Sequence, residues 1–148
     1  MMTKRRVLFL CTGNSARSQM AEGLVNHFLG DRWQAFSAGT APAGFVHPLA
    51  IEAMRELGID ISQHRSKGVD ELREASFDLV ITLCSGAAEN CPVWLGGGER
   101  LHMGFADPAA QSTAGRGELA AFRCVRDAIR EKVLAALESR NEAQASHE

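Results

Sequence analysis

Residues 6–30, RVLFLCTGNSARSQMAEGLVNHFLG, constrain the fold more than any other stretch. Residues 6–11 carry the apolar run of a short buried strand, and Thr12-Gly13-Asn14 ends it as a turn. From residue 18 to 29 the period changes. Ala21, Leu24, Val25 and Phe28 fall at i, i+3, i+4 and i+7, and Gly30 stops the helix. The alternation then repeats. A second strand is expected over 33–40, ending in the breaker-rich GTAPAG. Pro48 suits the first turn of a second helix, with Ala50, Ala53, Met54 and Leu57 on one face and Gly58 past its end. A short helix is expected over 69–74. A β-branched strand, FDLVITL, over 77–83 runs straight into Cys84. Beyond Gly96-Gly97-Gly98 a final strand spans about 100–105. The last helix runs from about 118 to 140, with Phe122, Val125, Ile129, Val133 and Ala136 as its apolar stripe, and residues 141–148 form a frayed tail. Strands alternating with helices predict an α/β three-layer sandwich around a parallel sheet. Ligands of such sheets bind beyond the carboxyl ends of the strands, where Cys11, Cys84 and Asp107 all fall.

A length of 148 residues, 45% of them hydrophobic, predicts one domain spanning the chain. The net charge of −2 argues against binding nucleic acid through its phosphates. Lys4, Arg5 and Arg6 read as a solvated edge before a buried strand. The apolar stretch that follows them is far too short for a signal peptide, and no window reaches the length of a membrane span. The expected compartment is the cytoplasm. In that reducing setting Cys11, Cys84, Cys91 and Cys124 are not a structural disulfide framework, and each has to be judged in place.

The loop FLCTGNSARS can do chemistry. A tetrahedral oxyanion needs several N–H donors and a fixed positive charge, and a loop leading into a helix N-terminus supplies converging amides and the dipole. Gly13 and Asn14 tolerate the positive φ that such a nest requires. Thr12, Gly13, Asn14, Ser15 and Ala16 would cradle the anion, and Arg17 adds a planar fork for two oxygens. The same field favours the thiolate of Cys11 as nucleophile. C-x5-R alone is a weak signal; the strand before it, the small residues within it, and Ser18 and an amphipathic helix after it raise its weight. Asp107 in FADPAA is a candidate general acid for displacement at phosphorus or arsenic. The alternative is that Asp107 only shapes an Asp-Pro turn.

Cys84 and Cys91 are separated by six residues in TLCSGAAENCPVW. Three readings stay open: a zinc site joined by His102, two inert core thiols, or a dithiol that oxidises, the last being favoured because SGAAEN is a small, polar wrapping. In a helix the two Cα atoms would lie about 10.5 Å apart, whereas a disulfide needs less than about 7 Å. The segment is therefore irregular, or unwinds on oxidation. Cys124, near the apolar face of the last helix, is expected to be packing.

CTGNSARS, TLCSGAAENC and GFADP, in that order, resemble the thioredoxin-coupled arsenate reductases of the low-molecular-weight protein tyrosine phosphatase superfamily. The resemblance runs from about Arg6 to the last helix. It implies a four-stranded parallel sheet flanked by helices; a monomer with no cofactor and no metal is expected. It also implies a mechanism. Cys11 would attack arsenate held by the loop amides and Arg17, Ser18 would help keep the thiolate, and Asp107 would protonate the departing oxygen. Cys84 would then attack Cys11 and expel arsenite, and Cys91 would attack Cys84, leaving a Cys84–Cys91 disulfide for thioredoxin to reduce. A weak phosphatase activity is expected beside it.

The chain departs from the family at one place. Some members bind potassium beside the loop through positions that correspond here to Asn14, Glu22 and Ser37, plus a Thr and an Asp that align with Arg65 and Lys67. Two cationic side chains are poor ion ligands, so the Lys67 ammonium is expected to replace the ion. Rival functions are disfavoured by specific residues. A tyrosine phosphatase of this fold would carry tyrosines after the Asp-Pro pair, but Ala109 and Ala110 stand there and the chain has no tyrosine. A reductase coupled to a small thiol would not need Cys91. A thiol-based metal or arsenite sensor using Cys84, Cys91 and Cys124 would leave the Cys11–Arg17 loop unexplained.

Overall fold

The computed structural model describes residues 4–84, 98–108 and 119–146, with side chains described as far as residue 140. Four strands, β1 (Arg5–Cys11), β2 (Trp33–Gly39), β3 (Leu79–Thr82) and β4 (Glu99–His102), form one parallel sheet in the order β2-β1-β3-β4. The helices are α1 (Arg17–Phe28), α2 (Pro48–Arg55) and α3 (Leu119–Ser146), and a single 3-10 turn spans Val69–Leu72. The α/β architecture and the four-stranded parallel sheet follow the expectation. Among the described residues, no helix is long and apolar enough to cross a membrane.

β1 lies at the centre of the sheet, paired with β2 from Arg5↔Trp33 to Cys11↔Gly39 and with β3 from Val7↔Leu79 to Leu10↔Thr82. A central parallel strand is buried on both faces, which is why its sequence is continuously apolar instead of alternating. The two-residue period still sorts the side chains. Val7, Phe9 and Cys11 face the core under α1, α2 and α3, with Leu79, Ile81 and Leu83 of the β3 region beside them. Leu8, Leu10 and Val80 face the other way, into a smaller cluster closed by Phe77, Val69 and Leu72.

α3 presents Phe122, Val125, Ile129, Val133 and Leu137 to the core. It reaches Ser146, past the expected end near residue 140. Cys124 is exposed, contrary to its expected packing role. It stands two residues from Phe122, about 200° around a helix at 3.6 residues per turn, and so points away from the core. The buried Arg126 ties α3 to α2 through the Ala53 carbonyl and Glu56, each at 2.8 Å. Arg5 and Arg6 also differ from expectation. They are half-buried, Arg5 lying 4.6 Å over the ring of the buried Trp33 and Arg6 4.7 Å over Phe36. Their aliphatic stems and flat cations cover the sheet's lower end instead of standing in water. β3 and β4 are shorter than expected, because beyond Thr82 and His102 the pairing continues as separate bonds, from Leu83 N–H to the Leu10 carbonyl, Met103 N–H to the Thr82 carbonyl and Phe105 N–H to the Leu83 carbonyl.

Candidate active site

Cys11 is the last residue of β1, and its odd parity aims it at the side of the sheet covered by α1. The chain turns over residues 12–16 and enters α1 at Arg17. Asn14 takes φ 47° at this turn, while Gly13 stays outside the positive-φ region. An asparagine tolerates that conformation because its short polar side chain can bond locally. Here Asn14 Nδ2 donates to Ser18 Oγ at 2.8 Å, and Asn14 Oδ1 accepts from the Lys67 backbone at 2.9 Å and from Gln19 Nε2 at 3.0 Å. The far end of β2 braces the same loop. A Cβ on Gly39 would stand 2.4 Å from the Thr12 carbonyl oxygen, so only glycine fits.

Carbonyl groups would repel an anion, and the loop ties each of them to a donor. Thr12, Gly13 and Ser15 accept from the backbones of Ala41, Ala43 and His47, all at 2.9 Å, Gly13 also accepts from Ser66 Oγ, and Asn14 accepts from Gln19. The N-terminus of α1 has no side-chain cap and no acidic residue in its first turn. Its uncapped N–H groups and dipole are thus available to a negative ligand.

Ser18, wholly buried, stands between the loop and Cys11. Its Oγ lies 2.8 Å from Cys11 Sγ and 2.8 Å from Asn14 Nδ2. Nδ2 can only donate, so the hydroxyl accepts there and its own proton is directed to sulfur.

Arg17 is 4% exposed. Its Nη1 donates to the Phe105 carbonyl at 3.1 Å and the Leu83 carbonyl at 3.5 Å, so the fork is anchored at the ends of β4 and β3. Nη2 lies 4.0 Å from Asp107 Oδ2, in the loop after β4. Cys11, Gly13, Arg17, His47 and Asp107 all line one open cavity of about 260 Å³. The strand ends therefore bring together the predicted loop, the predicted arginine and the predicted acid. Leu83, whose carbonyl holds Arg17, is followed at once by Cys84. Cys84 is fully buried and disulfide-bonded, whereas Cys11 and Cys124 are free thiols. Cys91, Ala109 and Ala110 lie outside the described residues.

Behind the loop is a second, polar layer. Glu22 Oε1 accepts from Ser37 Oγ at 2.9 Å, and Glu22 Oε2 lies 3.2 Å from His64 Nδ1. Lys67 Nζ stands 3.9 Å from Glu22 Oε1 and donates to the Arg65 carbonyl at 3.2 Å. Burial holds the Lys67 amine below its ordinary pKa, with Glu22 pulling the other way. Arg65 itself turns outward to Glu71. Of the two basic residues aligned with the ion ligands, only Lys67 brings its charge to Glu22.

Two residues of the site escaped the sequence reading. Gln19, fully buried, bonds the loop at Asn14, the Arg65 carbonyl and His64. Its signal was a polar residue on the inner face of an otherwise apolar helix. His47 lines the cavity and caps α2, its Nδ1 accepting from Leu49 N–H at 3.1 Å. The signal there was a histidine directly before Pro48 at a helix start. Burial holds His47 below its ordinary pKa, against the opposing field of Asp107.

Comparisons with known proteins agree with this geometry. The family profile described as low molecular weight phosphotyrosine protein phosphatase matches residues 6–145. An arsenate reductase of Halalkalibacterium halodurans is 47% identical over 132 residues, covering 89% of this chain and 94% of that protein. A solved arsenate reductase in a phosphate-binding state superposes with a TM-score of 0.77 at 33% identity, covering 91% of this chain and 98% of that one. The thioredoxin-dependent arsenate reductase of Corynebacterium glutamicum superposes with a TM-score of 0.64 at 31% identity, covering 92% of this chain and 63% of that one.

Proposed function

The chain belongs to the low molecular weight phosphotyrosine protein phosphatase family, as one of its arsenate reductases, and we propose that it works through a three-cysteine relay recharged by thioredoxin. Cys11 thiolate, steadied by the Ser18 hydroxyl, attacks the arsenic of arsenate held by the amides of residues 12–17 and the Arg17 fork. An oxygen leaves with a proton from Asp107, and an S–As(V) bond remains. Cys84 thiolate then attacks Cys11 sulfur. The S–As bond breaks with its electron pair on arsenic, so arsenic is reduced by two electrons, arsenite departs and a Cys11–Cys84 disulfide forms. Cys91 thiolate attacks Cys84, returning Cys11 as a thiolate and leaving a Cys84–Cys91 disulfide. A thioredoxin dithiol reduces that disulfide and completes the balance.

The observation that carries this reading is the anchoring of Arg17. One guanidinium, hydrogen-bonded to the carbonyl just before Cys84, also flanks the cavity of Cys11 and stands 4.0 Å from Asp107. Displacement and thiol exchange are thus tied to one guanidinium. The oxidised state of Cys84, with Cys11 free, supports a Cys84 that exchanges disulfides. The same cradle takes phosphate, so slow hydrolysis of phosphate monoesters is a side activity. The enzyme acts as a cytoplasmic monomer.

The test is NADPH consumption with arsenate, thioredoxin and thioredoxin reductase, wild type against Cys91→Ser. Steady turnover by the wild type and a stall after one cycle in the variant are expected. Undiminished turnover by the variant would refute the relay. If neither protein consumed NADPH while both hydrolysed an aryl phosphate, the roles of Cys84 and Cys91 would be wrong and that of the loop right.

A further inference from the structure

The wall of the cavity holds a histidine that the relay does not use. The His47 backbone N–H donates to the Ser15 carbonyl at 2.9 Å, so the residue is stitched to the anion loop. Its ring rests on Phe122, centroids 4.6 Å apart, with Phe45 at 6.5 Å. One edge of the ring is committed, because Nδ1 accepts the Leu49 N–H at 3.1 Å as the cap of α2. An accepting nitrogen carries no proton, so in the neutral ring the proton sits on Nε2. Burial favours that neutral form. The ring therefore carries a single uncharged donor, held by a helix cap and an aromatic bed, on a residue that lines the same cavity as Cys11, Arg17 and Asp107.

We propose that His47 is a further substrate-binding residue of this site, its Nε2–H donating a hydrogen bond to an oxygen of a bound tetrahedral oxyanion. The loop amides and Arg17 grip the anion from the side of α1, and His47 supplies a contact from the N-terminus of α2. A neutral donor suits this place. It adds directionality to the grip without a second full charge beside Asp107, whose proton the reaction needs. The proposal rests on the loop being the oxyanion site, and its test separates the two ideas.

Two variants each lose the donor but keep a different structural feature. His47→Ser keeps a good helix cap and loses the ring. His47→Phe keeps the ring on Phe122 and loses the cap. Binding of inorganic phosphate to the reduced 148-residue chain is measured by calorimetry, with the melting temperature of each protein as a check on folding. Both variants are expected to raise the phosphate Kd by about tenfold, as for one hydrogen bond to a charged acceptor. An unchanged Kd in either folded variant would overturn the proposal, since the feature that variant retains would then account for the role of His47. Absence of phosphate binding by the wild type would sink the oxyanion reading of the loop and this proposal with it.

Discussion

Replacing Ser18 by alanine tests the link between the loop and its nucleophile. The hydroxyl lies 2.8 Å from Cys11 Sγ and 2.8 Å from Asn14 Nδ2, and both Ser18 and Asn14 are fully buried. Water cannot readily take the missing place. A hydrogen bond to a charged acceptor is worth roughly 1.5–3 kcal/mol, which corresponds to about one to two decades in the rate of a step that needs the thiolate. The variant also strands the Asn14 amide donor, at about 1–3 kcal/mol of stability. Asn14 Oδ1 keeps its bonds to Gln19 and the Lys67 backbone, so the turn should hold. The assay is alkylation of Cys11 by iodoacetamide at neutral pH, followed by mass spectrometry of the Cys11 peptide, beside a thermal melt. Ser18→Ala should react about ten- to a hundredfold more slowly and melt several degrees lower, at roughly 2–4 °C per kcal/mol for a chain of this size. A lower melting temperature with unchanged alkylation would refute the reasoning, because Ser18 would then serve the fold alone.

Two further outcomes follow from ionic contacts. With Lys67 Nζ standing 3.9 Å from Glu22 beneath the loop, turnover should be equal in potassium and sodium chloride at matched ionic strength, and clear stimulation by potassium would show that the ammonium does not replace an ion. Between α2 and α3, hydrogen bonds from Arg123 and then Arg126 lower the Glu56 pKa from 4.5 to about 2. A carboxyl lowered on folding contributes stability above its unfolded value and loses it as pH falls from about 4.5 towards 2. The melting temperature of Glu56→Gln should accordingly depend less on pH across that window, and parallel acid profiles for variant and wild type would remove Glu56 from the account.

Much of the site was legible because its parts are contiguous. Cys11, the small residues 12–16, Arg17 and Ser18 lie on one loop between a strand and a helix, and each half announces itself by its own period. Asp107 was legible by position, as a polar residue just past a strand. Gln19 and His47 were not, since a buried glutamine and a capping histidine look like ordinary surface residues until their neighbours are known. Cys124 shows the converse: two positions along α3 separate the buried Phe122 from an exposed thiol, and a sequence stripe marks that boundary too coarsely.

What the sequence determined by itself is the order of strands and helices and the composition of the first loop, a cysteine and an arginine around small residues between a strand and a helix. Both arise from interactions between residues a few positions apart. Only the tertiary structure decided what Arg17 holds on to, carbonyls 66 and 88 residues away, and that Lys67 rather than Arg65 brings its charge to Glu22. Only it placed His47 in the wall of the cavity. Those contacts come from the parallel stacking of strand ends and the burial of one helix face against the sheet. Local periodicity carries no record of which distant backbone group a buried charge will meet.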